Sequence, residues 1–182
     1  MRTEARFVVD ELTNSIREVS SGKIFETEVL RVSAAEIKKV HKKDGWFFNW
    51  KTEFRESARN LYKLVLAGNN TIQGLISLEP VPNQLFIEMH LIEAAPHNHP
   101  SQKKFAGVAG NLVAFACKMS FDLGFEGYVA FTAKTNLVSH YIDSLGAQVI
   151  YGQNRMGIFT EAAKNLVDSY YKDYFNDDPE QI

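Results

Sequence analysis

The chain has 182 residues, 45% of them hydrophobic and 23% charged, which is enough apolar material for one sizeable core and excludes wholesale disorder. A formal net charge of -2, with no long basic run, argues against non-specific nucleic-acid binding as the main task. No stretch has the apolar length to cross a bilayer, the opening residues lack the form of a secretory signal, and a lone Cys117 excludes an internal disulfide framework, so a cytoplasmic setting is expected.

Val8, Leu12, Ile16 and Val19 recur at helical spacing before Ser20-Ser21-Gly22, which predicts a helical extension over residues 1–22. Phe25 to Val32 alternates with polar residues and reads as a strand. Ser33 and Glu36 have capping-box spacing ahead of Ile37 and Val40, so a short helix follows. Both tryptophans lie in Gly45-Trp46-Phe47-Phe48-Asn49-Trp50. This cluster reads either as an aromatic anchor to the core or as one wall of a substrate pocket.

Leu61 to Ala67, Thr71 to Leu78 and Gln84 to Glu93 are three strand-like runs. Gly68-Asn69-Asn70 and Pro80-Val81-Pro82-Asn83 separate them, which predicts an antiparallel meander. Phe105, Val108, Leu112, Phe115 and Met119 define an amphipathic helix closed at Leu123-Gly124. Gly127 to Ala133 reads as a buried strand and Asn136 to Leu145 as a helix ending at Gly146. Ala147 to Tyr151 and Arg155 to Phe159 are further strands, and Thr160 can cap a last helix through Tyr170. Residues 1–175 thus form one domain of the α/β class, a mixed β-sheet flanked on both faces by helices, with a frayed tail over 176–182.

The stretch most informative about chemistry is Lys104-Phe105-Ala106-Gly107-Val108-Ala109-Gly110-Asn111, which opens the amphipathic helix. Small residues at 106, 107, 109 and 110 let a ligand approach the backbone. Unpaired N–H groups and the dipole at a helix N-terminus favour an anion there. Small residues in a first turn also serve plain packing against a sheet, so this stretch alone leaves both readings open. Lys103 and Lys104 add positive charge.

This stretch resembles the acyl-CoA signature of the GNAT superfamily of N-acyltransferases, Gln/Arg-x-x-Gly-x-Gly/Ala, with Lys104 at the basic position, Gly107 at the glycine and Ala109 at the small residue. Ile92-Glu93-Ala94-Ala95-Pro96 is similar to the strand end and proline that precede it. Asn136 and the helix to Leu145-Gly146 are similar to the family's later segment. The likeness covers roughly Leu61 to Phe159. It departs in the lysine, in a longer interval from Pro96 to Lys104, and in the tyrosine, which falls at Tyr141 where the usual register reaches Ile142.

The resemblance implies a GNAT-like fold with acetyl-CoA, or another acyl-CoA, as co-substrate and no metal. It implies direct attack on the thioester by an amine of a small molecule or peptide. Phosphates would sit on Lys104, Phe105, Ala106, Gly107, Val108, Ala109, Gly110 and Asn111. The pantetheine arm would pair with Leu91, Ile92, Glu93 and Ala94, and Asn136 would either touch the cofactor or cap its helix. Glu88 is the first candidate for the base, Glu93 the second, and Tyr141 the candidate acid. Glu88 reads equally as a carboxylate facing water, and His90 either relays a proton from the same strand face or is structural. His97 and His99 read as a solvated loop and Cys117 as a small buried residue. A different class, a catalytically inactive acyl-CoA-binding or interaction module, stays open, as does a homodimer.

Overall fold

The computed structural model describes residues 3–13 and 15–176. The elements are β1 (Ile16–Glu18), β2 (Ile24–Phe25), β3 (Thr27–Arg31), α1 (Ala34–Ile37), α2 (Trp50–Arg55), β4 (Asn60–Leu66), β5 (Gly74–Val81) and β6 (Phe86–Ala94). They continue with β7 (Phe105–Ala106), α3 (Val108–Asp122), β8 (Val129–Thr132), α4 (Val138–Leu145), β9 (Gln148–Tyr151), β10 (Arg155–Ile158) and α5 (Thr160–Tyr170). Seven strands form one mixed sheet in the order β3-β4-β5-β6-β8-β10-β9, and β2-β1-β7 form a small second sheet.

Local signals account for much of this. The capping box at Ser33 and Glu36 forms as its spacing requires, and Asn49 caps α2 by accepting the Thr52 N–H at 3.1 Å. The meander β4–β5–β6 is antiparallel throughout. The crossover through α3 makes β6 and β8 the parallel pair. The frayed tail expected from residue 176 onward lies, from 177, outside the described residues.

Strand alternation divides the apolar residues between two faces. Leu61, Leu75 and Leu91 join Trp46, Trp50, Ile37 and Val40 in one buried cluster beside α1 and α2. Leu64, Ile76, Leu78, Ile87, Met89 and Ile92 join Leu112, Val113, Leu166 and Val167 in the larger core beneath α3 and α5. In β6 the parity switches: Ile87 and Met89 face the large core, and then so does Ile92. The cause is a bulge, since Ser77 pairs with Leu91 and Leu78 with Met89, leaving His90 as the extra residue. His90 and Glu88 are therefore not related by regular alternation. His90 Nε2 instead lies 3.3 Å from Glu79 Oε1 without a hydrogen-bonding geometry.

The expected N-terminal helix is a correction. Residues 3–13 hold no helix, and Ile16 begins a strand. Burial follows period two, with Ala5, Phe7 and Val9 buried and Arg6, Val8 and Asp10 exposed. Val8 and Leu12, which carried the helical spacing, are 54% and 45% exposed. A free strand edge in the finished sheet outweighs the weak local helical pattern.

Candidate functional site

β6 and β8 pair at two positions only, Ile87↔Val129 and Glu88↔Ala130, and then part. At the far end of β8 the chain's own segment 5–13 makes a single bridge. Ala5 bridges Ala133 in parallel, donating its N–H to the Thr132 carbonyl at 2.6 Å and accepting the Lys134 N–H at 3.0 Å. Phe7 stacks on Tyr141, with centroids 4.7 Å apart, and Tyr141 donates its hydroxyl to the Phe7 carbonyl at 2.6 Å. Val9 donates its N–H to His140 Nε2 at 2.9 Å.

The same segment reaches the start of α3. Gly107, at φ 94, is the N-cap, a left-handed position that side chains strain to adopt. Its N–H donates to Asp10 Oδ1 at 3.0 Å, while Asp10 Oδ2 lies 2.7 Å from Lys103 Nζ. The helix start therefore already holds an anion beside a cation. A Cβ on Gly107 would lie 3.2 Å from the Ser15 carbonyl and the Thr13 hydroxyl. One on Gly110 would run into the Tyr170 hydroxyl and lie 3.0 Å from the Glu11 carbonyl. Asn111, buried, donates to the Gly107 carbonyl at 2.8 Å and to the Ser15 carbonyl at 3.1 Å. Phe105 and Ala106 are strand β7, paired with β1, and Lys104 is exposed with its ammonium 5.6 Å from the Phe105 ring. The small residues at 107 and 110 thus let Glu11, Thr13, Ser15 and Tyr170 pack closely on the helix start, and the Asp10 carboxylate takes the Gly107 N–H.

Between this segment and the end of β6 lies a cavity of about 340 Å³, lined among others by Phe7, Phe47, Phe48, Ile92, Glu93, Ala94, His99, Val108 and Ala109. Glu93, buried, accepts the Phe47 N–H at 2.6 Å, the Phe48 N–H at 3.2 Å and the Trp50 indole N–H at 2.9 Å. The aromatic cluster is therefore both anchor and wall: Trp46 and Trp50 are core, while Phe47 and Phe48 line the cavity. His99 Nε2 lies 2.9 Å from the Ala94 carbonyl and 3.4 Å from Glu93 Oε2. Because a carbonyl only accepts, Nε2 carries the hydrogen in that contact.

Glu88 is placed differently. Its carboxylate takes both terminal nitrogens of Arg155, at 2.9 and 2.6 Å, across the intervening strand β8. Leu91 packs in the cluster around Trp50, away from the cavity. Tyr141 is fully buried, and burial pushes its hydroxyl pKa upward, so it stays protonated. Asn136 is exposed in the turn Thr135–Leu137 and makes no capping bond there. Sequence reading missed Asp10, His99 and Arg155. Asp10 and Arg155 lie 97 and 67 residues from their partners, and only the H-x-H spacing drew notice to His99. His97 Nε2 meets Gln73 Oε1 at 2.7 Å, and buried Asn98 bonds to Gln73 and to the Phe105 N–H, so the loop before β7 is pinned rather than loose. Burial pushes the Cys117 thiol up to about 12, which leaves it inert. Among the described residues no group of three or more His, Cys, Asp or Glu is arranged to hold a metal, and no helix is long and apolar enough to cross a membrane.

A mixed sheet parted between β6 and β8, with a glycine-opened crossover helix at the mouth of the gap, is the GNAT acyltransferase fold. Spermidine N-acetyltransferase from Vibrio cholerae, solved in complex with CoA and spermine, matches 76% of this chain and 98% of its own length at 15% identity and a TM-score of 0.54. A dodecameric structure of the Vibrio cholerae enzyme in an intermediate state matches over 74% and 94%, at 16% identity and a TM-score of 0.50. At such identities the likeness is one of fold. Neither protein-family models nor curated protein sequences match the chain.

Proposed function

We propose that the protein is an acyl-CoA-dependent N-acyltransferase, using acetyl-CoA as its simplest co-substrate and an amine of a small molecule or peptide as acceptor. The observation that carries this reading is the anion at Gly107. A carboxylate accepts that N–H and pairs with Lys103, so the helix start already accommodates negative charge beside a cation, which supports a phosphate site there. Gly107, Val108, Ala109 and Gly110 would hold the phosphates, with Lys103 and Lys104 beside them. Ile92, Glu93 and Ala94, at the end of β6, would pair with the arm as an added strand does. Acyl-CoA supplies an activated thioester carbonyl; the chain's part is to position the amine and move its proton.

Glu88 is engaged by both terminal nitrogens of Arg155, which makes it a clamp more than a base. The carboxylate beside the cavity is Glu93, which accepts three N–H groups. We assign it the task of holding His99, which lines the cavity and is the candidate proton acceptor there. Tyr141, kept protonated by burial, would become the donor at the opposite side of the gap once its hydroxyl leaves the Phe7 carbonyl. The neighbour solved with CoA and spermine makes polyamines the first acceptors to try.

Calorimetric titration with acetyl-CoA should give a saturable isotherm that Gly107→Glu abolishes, because a carboxylate there repels phosphate. Turnover against a panel of polyamines and peptide amines should fall at least about tenfold in His99→Gln. A second reading, a binding module without turnover, is favoured by the entry of residues 5–13 into the gap. It requires CoA binding with neither thioester hydrolysis nor acyl transfer, and absence of any CoA binding sinks both readings.

A further inference from the structure

Residues 5–13 enter the gap between β6 and β8 from the β8 side, leaving the cavity beside the end of β6. The segment bridges the end of β8 once, in parallel, with Ala5 donating to the Thr132 carbonyl and accepting the Lys134 N–H. Its Phe7 carbonyl takes the Tyr141 hydroxyl, and its Asp10 carboxylate takes the Gly107 N–H and Lys103. An extended arm ending in a negative group at the helix start is the chemical pattern expected of the cofactor itself: a strand-like chain joined to an anion.

Resting on the reading of this gap as the acyl-CoA slot, we infer that residues 5–13 are an intramolecular strap that mimics the cofactor, excludes it while seated, and must leave before it binds. The strap and the cofactor need the same Gly107 N–H, so the two states are mutually exclusive there. Leaving would also free the Tyr141 hydroxyl, the candidate acid, so that the slot and the proton donor become available together. Only its alternate residues, Ala5, Phe7 and Val9, are buried, while Val8 and Leu12 are exposed. Apparent cofactor affinity then equals the intrinsic affinity scaled by the fraction of molecules with the strap out, so any event that captures the strap raises activity.

The test is calorimetric titration with coenzyme A of four full-length forms. These are wild type, Asp10→Asn, Phe7→Ala with Asp10→Asn, and Ala5→Cys with Ala133→Cys, whose two cysteines are neighbours across the bridge. Removing the charge at residue 10 should tighten CoA binding about tenfold, the worth of one charge-assisted hydrogen bond, and the double substitution should tighten it further. The oxidised cysteine form should bind at least about tenfold more weakly than wild type and recover on reduction. Hydrogen exchange gives a readout independent of affinity: the Ala5 and Val9 amides should lose protection when CoA is added. Equal affinity of the locked and reduced forms overturns the strap while leaving the acyl-CoA reading intact. Failure of every form to bind CoA, the released ones included, overturns both. Binding that tightens only on dilution of the protein also overturns the proposal, since the segment would then be exchanged between two copies.

Discussion

Strand β6 has two edges with opposite fates. On one side it pairs with β5 at eight positions with a single bulge; on the other it pairs with β8 at two. The first edge is closed by a hairpin, so each bond is set by neighbours close in sequence. The second depends on a crossover through α3, and its pairing ends once the bulge at His90 has turned β6. What closes the second edge is long-range: the Glu88–Arg155 clamp at the point of parting and the strap of residues 5–13 beyond it. The difference teaches that a stable sheet can keep one incomplete seam provided the seam is pinned at its closed end.

Breaking the pin should have the largest effect. Glu88→Ala strands a guanidinium whose side chain is 9% exposed and should cost about 3–5 kcal/mol, read as a fall in the urea midpoint. Replacing both partners, Glu88→Leu with Arg155→Met, should recover most of that loss, because two desolvated charges go together.

Glu93→Ala comes next, at about 2–3 kcal/mol. It leaves the Trp50 indole and two backbone N–H groups without their acceptor, and only the exposed Phe47 end can turn to water. The same variant should abolish turnover in a stopped acetyl-transfer assay if His99 depends on it.

Phe7→Ala sharpens the contrast. A buried phenylalanine ordinarily costs about 3–5 kcal/mol to truncate, yet a separable strap predicts less than about 1 kcal/mol in global urea unfolding. A loss of the full size would mean the seam is part of the cooperative core.

The smallest effect belongs to His90, the bulge residue. Burial depresses its pKa, with Arg59 adding to this and Glu88, Glu79 and Glu53 opposing it. A histidine that resists protonation when folded contributes stability present above its unfolded pKa and lost as pH falls through its folded one. The melting temperature should therefore decline modestly below neutrality, and His90→Gln should flatten that part of the profile, checked by calorimetric scans across pH.

Much of the architecture is written locally. The turns between β4, β5 and β6, the capping box at Ser33 and the glycine-opened start of α3 each follow from a few adjacent residues, because periodicity and turn chemistry act over one or two turns of chain. The fold class and the glycine at the start of α3 were legible for that reason. Other features had no local signature. Val8 and Leu12 fit a helix until a sheet with an open edge exists to draw out Ala5, Phe7 and Val9. Glu88 looks like a base until Arg155, 67 residues on, is folded against it. The bulge that sets Glu88 and His90 out of step is a property of the paired strands, not of β6 alone. The amino-acid order by itself determined most elements beyond the N-terminal segment and the glycine-opened start of α3; only tertiary structure decided the path of that segment and what meets the helix start, because free edges and unpaired charges come into being only once the sheet has assembled.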